Sequence, residues 1–340
     1  MSDIVEKVTE KNAGLQYIET FTNSAEFGII SQRDFFDHDI SKIGSLDGYY
    51  VVHNEDFVYN PRISVTAPVG PINRNKLGRT GVMSPLYTVF RPHDIDTTYL
   101  EHFFKSGYWH SFMNFNGDSG ARSDRFSIKD SVFFEMPIPT PDIEEQKKIG
   151  EFLTQLDTLI TLHQRKYEKL VNIKKSMLDK MFPKNGASVP EIRFKGFTDP
   201  WEQRKLGEMV DVCSGMDYKH LSEGDIPVYG TGGYMLSVNK ALSYDRNAVG
   251  IGRKGTIDKP YILKAPFWTV DTLFYAIPKD SKNIDFTFDV FQKVDWKKKD
   301  ESTGVPSLSK IAINETSIST PSKLEQERIG SFFRNLDTLI

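Results

Sequence analysis

Apolar residues recur at every third or fourth position along one long stretch that begins at Ile149 and reaches Met181. This spacing predicts a helix with a single apolar seam of the coiled-coil type, which Pro183 and Gly186 bring to an end. At ~1.5 Å per residue, a helix of about 40 residues would be a rod of roughly 60 Å, and such a seam requires a partner. An ordinary amphipathic helix on a globular core is the alternative. The seam consists of Ile149, Leu153, Leu156, Ile160, His163, Tyr167, Leu170, Lys174, Met177 and Met181.

The sequence at the beginning of this helix occurs twice in the chain. "EEQKKIGEFLTQLDTLI" runs from Glu144 to Ile160, and "LEQERIGSFFRNLDTLI" runs from Leu324 to Ile340, at a constant offset of 180 residues. Thr140 and Thr320, each followed by a proline, are expected to be the N-caps. A period this long is not that of a solenoid, so it indicates duplication of a whole domain together with its helix. The packing positions predicted on the two copies, besides the seam, are Phe152, Ile329, Phe332, Leu336 and Ile340.

The segments that precede the two helices have a different pattern. Short β-branched and aromatic runs such as "GYYVVHNEDFVYNPRISV" and "FWTVDTLFYAIP" are broken by Gly, Pro and Asn, as is typical of strands joined by turns. The stretch 84–92 aligns with 270–278, and 56–64 aligns with 247–255, which places Arg62 opposite Arg253. We therefore predict an α+β fold with two similar domains. The predicted boundaries are a first domain at 1–140, a spacer helix at 141–183, a connector at 184–200, a second domain at 201–320 and a second helix at 321–340.

Composition and charge restrict the class of protein. The 340 residues are 39% hydrophobic and 26% charged, as in globular proteins rather than membrane or disordered ones. No apolar run approaches the roughly 18 residues of a membrane span, and the first residues lack a signal-peptide pattern. Cys213 is the single cysteine, so a reducing compartment and a cytoplasmic location are expected. The formal net charge of −3 leaves DNA binding to local basic surfaces.

The order of these segments resembles the specificity subunit of type I restriction–modification enzymes. The motifs that carry the resemblance are Thr140–Pro183, the connector "PEIRFKGFTDPWEQRKLGE" at Pro190–Glu208, and Thr320–Ile340. The resemblance implies two target-recognition domains that each read one half of a split, asymmetric site in double-stranded DNA. It also implies spacer helices that pack together, methyltransferase subunits that dock on them, and a restriction or motor subunit. S-adenosylmethionine, ATP and Mg²⁺ would belong to those partner subunits, with no cofactor in this chain.

Candidate DNA contacts lie in polar, glycine-rich loops. Glycines allow the backbone to approach phosphates closely, and a guanidinium can bind the two acceptors of guanine bidentately. Turns with solvated charges are the alternative at each position. The candidates are Asn60, Arg62, Arg74, Lys76, Arg79, Arg122 and Arg125 in the first domain, and Tyr229, Thr231, Tyr234, Arg253, Lys254 and Thr256 in the second.

Motifs for catalysis and metal binding are missing from the sequence. It contains no HExxH or CxxC grouping and no GxxxxGK[ST] loop, so no catalytic or metal-binding residue is predicted. A scaffold protein that uses the helices only for protein–protein contact is the second hypothesis, and a stand-alone nuclease is the third.

The chain departs from the resembled pattern at both ends. Its first residues correspond to Leu206, and the second helix is less than half the length of the first. Part of the seam would then lack its usual cover, so we expect a homodimer or association with a second subunit through the helix.

Overall fold

The computed structural model describes residues 1–36, 43–119, 124–184, 186–279 and 282–340. Its contacts divide the chain into two units, Met1–Leu162 and His163–Ile340. The division falls inside one long helix, Ile143–Lys180. No helix in the described ranges is long and apolar enough to cross a membrane.

Unit 1 is built on an antiparallel sheet of four strands, which in spatial order are β1 (Val5–Lys7), β8 (Thr88–Pro92), β5 (Phe57–Tyr59) and β6 (Ile72–Arg74). Two further antiparallel pairs are formed by β2 (Phe21–Ser24) with β3 (Gly28–Ser31) and by β4 (Tyr50–Val52) with β7 (Gly81–Met83). Its α-helices are α1 (Gln32–Phe36), α2 (Thr97–Lys105), α3 (Tyr108–Asn116), α4 (Asp130–Phe133) and the first part of α5 (Ile143–Lys180), and short 3-10 helices span Ala13–Leu15 and Ile43–Gly48. The main core lies between this sheet and α2 to α4, where Phe57, Phe90 and Phe104 pack together.

Unit 2 contains a second four-stranded antiparallel sheet, which in spatial order consists of β10 (Val210–Ser214), β16 (Leu273–Pro278), β13 (Ala248–Gly252) and β14 (Tyr261–Leu263). A three-stranded sheet has the order β12 (Gly233–Val238), β11 (Glu223–Gly230) and β15 (Trp268–Thr269), and β17 (Ser317–Thr320) pairs with β9 (Glu202–Lys205). Its helices are the rest of α5, α6 (Leu206–Met209), α7 (Ile284–Lys293), α8 (Lys310–Asn314) and α9 (Lys323–Leu339), with a 3-10 helix at Trp296–Lys299.

The two four-stranded sheets have the same topology. Val5 pairs with Pro92 at the start of β1, and Val210 pairs with Pro278 at the start of β10. This register agrees with the predicted alignment of 84–92 with 270–278. The fold is therefore the α+β duplication expected from the repeat.

The predicted alignment of 56–64 with 247–255 is wrong by one residue. An antiparallel bridge joins Arg62 to Arg125 in unit 1, and the corresponding bridge in unit 2 joins Lys254 to Ser307. Arg62 therefore occupies the position of Lys254, not that of Arg253. A shift of one residue moves a side chain to the opposite face of a strand.

The glycine of the repeated helix motif has a packing role in both units. A Cβ at Gly150 would lie 3.1 Å from the backbone nitrogen of Tyr99, and one at Gly330 would lie 2.6 Å from Oδ1 of Asn283. These contacts are at the N-termini of α2 and α7. The helices α5 and α9 thus pass close to equivalent helix ends because they have no side chain at this position.

The glutamine of the motif fixes the segment that leads into each helix. Nε2 of Gln146 donates to the carbonyl oxygen of Pro141 at 2.7 Å, and Nε2 of Gln326 donates to that of Pro321 at 2.9 Å. The N-cap of α5 is Asp142, whose Oδ1 accepts from the two backbone N–H groups of 144 and 145. The N-cap of α9 is Ser322, so the predicted caps at Thr140 and Thr320 are both two residues too early.

The apolar seam of α5 is covered over only part of its length. Leu170 and Met177 pack against the core of unit 2, which also contains Ile329, Phe332 and Leu336 of α9. Ile149 and Leu153 are half-buried in unit 1. Met181 is buried in the same core and Lys174 is half-buried. The predicted packing positions that are exposed are Phe152, Leu156, Ile160, His163, Tyr167 and, by a small margin, Ile340.

Candidate nucleic-acid interface

Two loops that are distant in sequence meet beside Arg62 in unit 1. The backbone N–H of Ile63 donates to the carbonyl oxygen of Asp124 at 3.1 Å, and that of Phe126 donates to Pro61 at 2.7 Å. These bonds surround the bridge between Arg62 and Arg125. The structure therefore brings together two of the predicted arginines.

The side chain of Arg62 is available to solvent. It is 66% exposed, and its only ion pair among the described residues is a long one, 3.9 Å from Nη2 to Oδ2 of Asp124. Arg62 borders a cleft of about 450 Å³ that is lined mainly by polar and aromatic side chains, including Asn23, Thr66 and Tyr87. A guanidinium in this setting can reach phosphates or base edges.

Asn60 supports this loop from within. Its side chain is 8% exposed; Nδ2 donates to the carbonyl oxygen of Asn23 at 2.8 Å, and Oδ1 accepts from the backbone N–H of Arg62 at 3.0 Å. Both ends of the amide are therefore used inside the unit. Asn60 therefore positions Arg62 in this structure, and its role as a DNA contact stays a prediction.

Arg74 is also used inside unit 1. Its side chain is 10% exposed, and it forms ion pairs with Glu55 at 3.0 Å and Glu101 at 2.5 Å. Nη1 also donates to the hydroxyl of Thr97 at 2.6 Å. These contacts tie the end of β6 to α2, so the guanidinium is engaged within unit 1.

Lys76 and Arg79 are more exposed but are paired with carboxylates. Nζ of Lys76 donates to Glu101 at 2.9 Å. Arg79 binds Glu19 through Nε and Nη2, both at 2.8 Å, and this guanidinium holds the pKa of Glu19 below its usual value. DNA binding by either residue would have to compete with these acidic partners.

Arg125 lies on the border of a second cleft of about 450 Å³, together with Lys7 and Tyr50. Leu86 and Tyr87 line both this cleft and the one beside Arg62. Nε of Arg125 is buried and has no hydrogen-bond partner among the residues that the structure describes. Arg122, which was also predicted as a contact, lies outside the described residues.

An aromatic group near Arg62 was not predicted. Phe27, Phe35 and Phe36 are 60%, 40% and 37% exposed, and their rings contact edge to face, with centroids 6.3 and 4.6 Å apart along the series. Phe35 and Phe36 line the same cleft as Arg62. The adjacent phenylalanines between charged residues in "QRDFFDHD" were the available signal, because an exposed apolar patch of this kind can mark an interaction surface.

In unit 2 the predicted tyrosines lie on the β11–β12 hairpin. The ring of Tyr229 is 6.4 Å from that of Tyr234 and 6.1 Å from that of Tyr261. Tyr261 donates its hydroxyl to the carbonyl oxygen of Gly230 at 2.6 Å, and burial raises the pKa of Tyr261. Tyr234 is 63% exposed, and Thr231 is half-buried in the turn.

Arg253 and Lys254 are exposed directly after β13. The following Gly255 has φ +85°, a conformation that favours glycine, and the half-buried Thr256 closes the turn. The Arg253 guanidinium lies over the ring of Phe274, 5.8 Å from its centroid. Neither cation forms an ion pair with a described residue in the structure.

One short turn connects the hairpin with the Arg253 loop. The backbone N–H of Val270 donates to the carbonyl oxygen of Tyr229 at 3.0 Å, and the backbone N–H of Arg253 donates to that of Thr272 at 2.8 Å. The structure thus joins both predicted loops of unit 2 into one region. This region combines exposed cations with an exposed aromatic ring, which suits phosphates and stacked bases.

Within the described ranges, no group of three metal-ligating side chains could hold an ion. The residues described above offer hydrogen bonding, charge pairing and stacking.

Comparisons with known proteins support the resemblance inferred from the sequence. The model of the type I restriction modification DNA specificity domain matches residues 9–172 and again residues 198–340. The type I restriction enzyme MjaVIII specificity subunit of Methanocaldococcus jannaschii is 33% identical over 96 residues, a stretch that covers 27% of this chain and 23% of that protein. The chain thus spans about a quarter of the length of this curated relative.

The crystal structure of a type I restriction-modification system S subunit from M. genitalium has a similar fold. The TM-score is 0.63 at 14% identity, and the match covers 99% of this chain and 88% of that one. Together with the two matches to the family model, which include most of the sequence, this shows that the chain belongs to the type I restriction modification DNA specificity domain family and carries the domain twice.

Proposed function

We propose that this protein is a non-catalytic DNA-recognition subunit of a type I restriction–modification complex, in which each unit reads one half of a bipartite, asymmetric site. Catalysis would then lie in partner chains, and the repeated helices would dock the methyltransferase subunits. The relative from M. jannaschii is named a specificity subunit.

The observation that carries this proposal is an exposed cation at the same place in both units. Arg62 and Lys254 follow equivalent strands of sheets with the same order, and each forms the bridge described above. Both side chains remain free of close ion pairs among the described residues. Two similar domains with different side chains at this place are suited to two different half-sites.

The aromatic side chains near the exposed cation differ between the two units. Unit 1 presents Phe35 and Phe36 beside Arg62, whereas unit 2 presents the hydroxyl of Tyr234 and the guanidinium of Arg253. Apolar contacts suit the methyl group of thymine, and an arginine suits guanine. Different base preferences are therefore expected from the two units.

The repeated helices support docking of two identical partners. The motif Leu156–Ile160 recurs unchanged as Leu336–Ile340, and the glutamine and glycine that precede it make equivalent contacts in both units. The last two residues of the motif are exposed on both helices, and a surface that is present twice can bind two copies of one subunit.

The experiment reconstitutes the chain with its methyltransferase subunits and selects bound sites from a random DNA library. We expect a bipartite consensus in which Arg62→Ala relaxes one half and Lys254→Ala relaxes the other. Loss of a specific contact costs about 1–3 kcal/mol at the base concerned. Lys323→Ala is the control, because this exposed lysine lies on the first turn of α9, away from both loops in sequence.

A selection that recovers no consensus would contradict sequence-specific recognition and favour the scaffold hypothesis. Relaxation of both halves by either variant would contradict the assignment of one half-site to each unit.

A further inference from the structure

The connector of unit 2 binds the beginning of α9 through an arginine. Nε and Nη2 of Arg193 donate to the two carboxylate oxygens of Glu325 at 2.7 and 2.8 Å. The Glu325 side chain is 1% exposed and that of Arg193 is 14% exposed. Nη2 also donates to the carbonyl oxygen of Asp199 at 2.7 Å. A paired, planar contact of this kind is specific for a guanidinium, because the ammonium of lysine cannot reproduce it.

The next residue of the connector makes a second contact on the same helix. The ring of Phe194 packs edge to face on that of Phe332, with centroids 6.0 Å apart. Glu325 and Phe332 are seven residues apart and so lie on one face of α9, about 10 Å from each other along the axis. The dipeptide Arg193-Phe194 therefore occupies a site with a carboxylate at one end and an aromatic ring at the other.

Helix α5 repeats this pair of residues in unit 1. Glu145 corresponds to Glu325 and Phe152 to Phe332 at the constant offset of the repeat. Glu145 is exposed, and Phe152 is 60% exposed. The carboxylate of Glu145 makes no ion pair with a described residue. The same two groups are thus present on α5, and both are exposed.

The local frame of the two sites is the same. The motif glutamine binds the carbonyl of the proline five residues earlier in both helices. The motif glycine packs on the N-terminus of α2 in one unit and of α7 in the other. Because these contacts fix the helix at the turns between the carboxylate and the ring, both sites are held in equivalent local surroundings.

We infer that Glu145 and Phe152 form a docking site for an extended segment that carries an Arg-Phe dipeptide, of the kind that Arg193-Phe194 provides in unit 2. The guanidinium of the segment would bind the carboxylate bidentately, and its phenylalanine would cover the exposed ring. A second copy of this chain is not the occupant, because its own dipeptide is already engaged with Glu325. Such docking would occur without DNA.

The test uses a peptide taken from this chain. A labelled peptide of residues 188–200, "SVPEIRFKGFTDP", is titrated with the full chain, and binding is followed by fluorescence anisotropy. We expect saturable binding with one peptide per chain. Glu145→Gln in the protein, or arginine to lysine in the peptide, should each weaken binding about tenfold, as loss of a charge-assisted pair does. Glu144→Gln is the matched control and should bind normally, because the neighbouring Glu144 is exposed and pairs with Lys147 instead.

Three results would overturn this assignment. One is the absence of saturable binding, and another is equal binding by the Glu144→Gln and Glu145→Gln chains. The third is a dependence on Glu325 rather than on Glu145, tested with Glu325→Gln, which would show that the peptide merely exchanges with the chain's own connector. Analytical ultracentrifugation of the peptide-free chain checks the occupant. Self-association that Glu145→Gln abolishes would assign the site to a second copy and overturn the inference.

Discussion

Trp109 and Trp296 make the same hydrogen bond in the two units. The indole Nε1 of Trp109 donates to the carbonyl oxygen of Phe104 at 2.9 Å, and that of Trp296 donates to Phe291 at 2.7 Å. In both cases the acceptor lies five residues earlier, at the end of α2 or α7, and both tryptophans are almost fully buried. This contact has been retained although the elements around the two indoles differ, with α3 in one unit and a 3-10 helix in the other.

Trp296→Phe should destabilise unit 2 by about 2–3 kcal/mol, because it removes a buried donor and leaves a cavity. Urea unfolding followed by circular dichroism measures the loss, and hydrogen exchange locates it. Trp109→Phe should give a similar loss confined to unit 1. Tyr108→Phe is the control, because Tyr108 is 84% exposed and should change stability by less than about 0.5 kcal/mol. Equal losses of protection in both units from one variant would contradict independent cores.

The two motif glycines should respond differently to alanine. A Cβ at Gly330 would lie 2.6 Å from Oδ1 of Asn283 and 2.7 Å from the backbone nitrogen of Phe286, whereas the nearest atom to a Cβ at Gly150 is 3.1 Å away. Alanine normally stabilises a helix by about 1 kcal/mol relative to glycine, and overpacking costs about 1–3 kcal/mol.

We therefore expect Gly330→Ala to destabilise unit 2 by about 2 kcal/mol, and Gly150→Ala to have a much smaller effect on unit 1. Thermal unfolding of both variants against the wild type decides this. The reverse order of stability would show that α9 moves away from α7 more easily than α5 moves from α2.

The sequence predicted the duplication and one strand alignment, but it failed where burial removed the usual signal. All residues of β5 and β13 are buried, so these strands show no alternation of apolar and polar positions that could fix their register. The alignment that placed Arg62 opposite Arg253 was therefore free to slip by one residue. The neighbouring alignment of 84–92 with 270–278 was correct because a proline ends both strands.

The candidate site could be predicted only as a set of loops. Arg74 looked like Arg62 in the sequence, since both lie in polar stretches. The difference between them is set by Glu55 and Glu101, which come from other elements and bind Arg74. Such partners are not visible before the chain is folded.

Arg74 should matter for stability rather than for DNA recognition. Arg74→Met removes the ion pairs with Glu55 and Glu101 and should destabilise unit 1 by about 2–3 kcal/mol, because Glu101 is only 12% exposed and loses a close partner. At a temperature where the variant is folded, the selected DNA consensus should be unchanged. A half-site whose sequence preference is relaxed in the folded variant would indicate that Arg74 does contact DNA.

Asp289 should make the stability of unit 2 depend on pH. Burial raises its pKa well above the usual value, against the opposing effect of Lys174, while Asp337 and Asp285 raise it further. Its Oδ2 has no hydrogen-bond partner within the described part of the chain. Because the folded state holds this proton more tightly than the unfolded chain does, the stability that protonated Asp289 contributes is lost as pH rises above about 3.9 toward the folded pKa.

Asp289→Asn removes this titration. We expect the variant and the wild type to have similar urea midpoints at pH 4, where the carboxyl group is largely protonated in the folded chain. At pH 7 the variant should be the more stable. A difference that is constant across this range would show that the carboxyl group does not titrate between these values.

The exposed stripe of α5, which consists of Leu156, Leu159 and Ile160, should mediate self-association. These side chains are 39% to 55% exposed. In unit 2 the stripe is interrupted, since Leu336 is buried in the core and Asp337 forms an ion pair with Lys174. A stripe that recurs on one helical face can pair with itself in a symmetric dimer.

We expect the mass from light scattering to rise from monomer toward dimer as concentration increases. Leu156→Glu combined with Ile160→Glu should shift this equilibrium to monomer, because each charge would have to be buried in the pair of helices. Thr161→Glu, at the adjacent exposed position outside the stripe, is the matched control and should still associate. The helical content of all three proteins must remain equal for the comparison to hold. A wild-type chain that stays monomeric at the highest concentration reached would show that this stripe does not pair with itself. The stripe would then be a candidate contact surface for a different subunit.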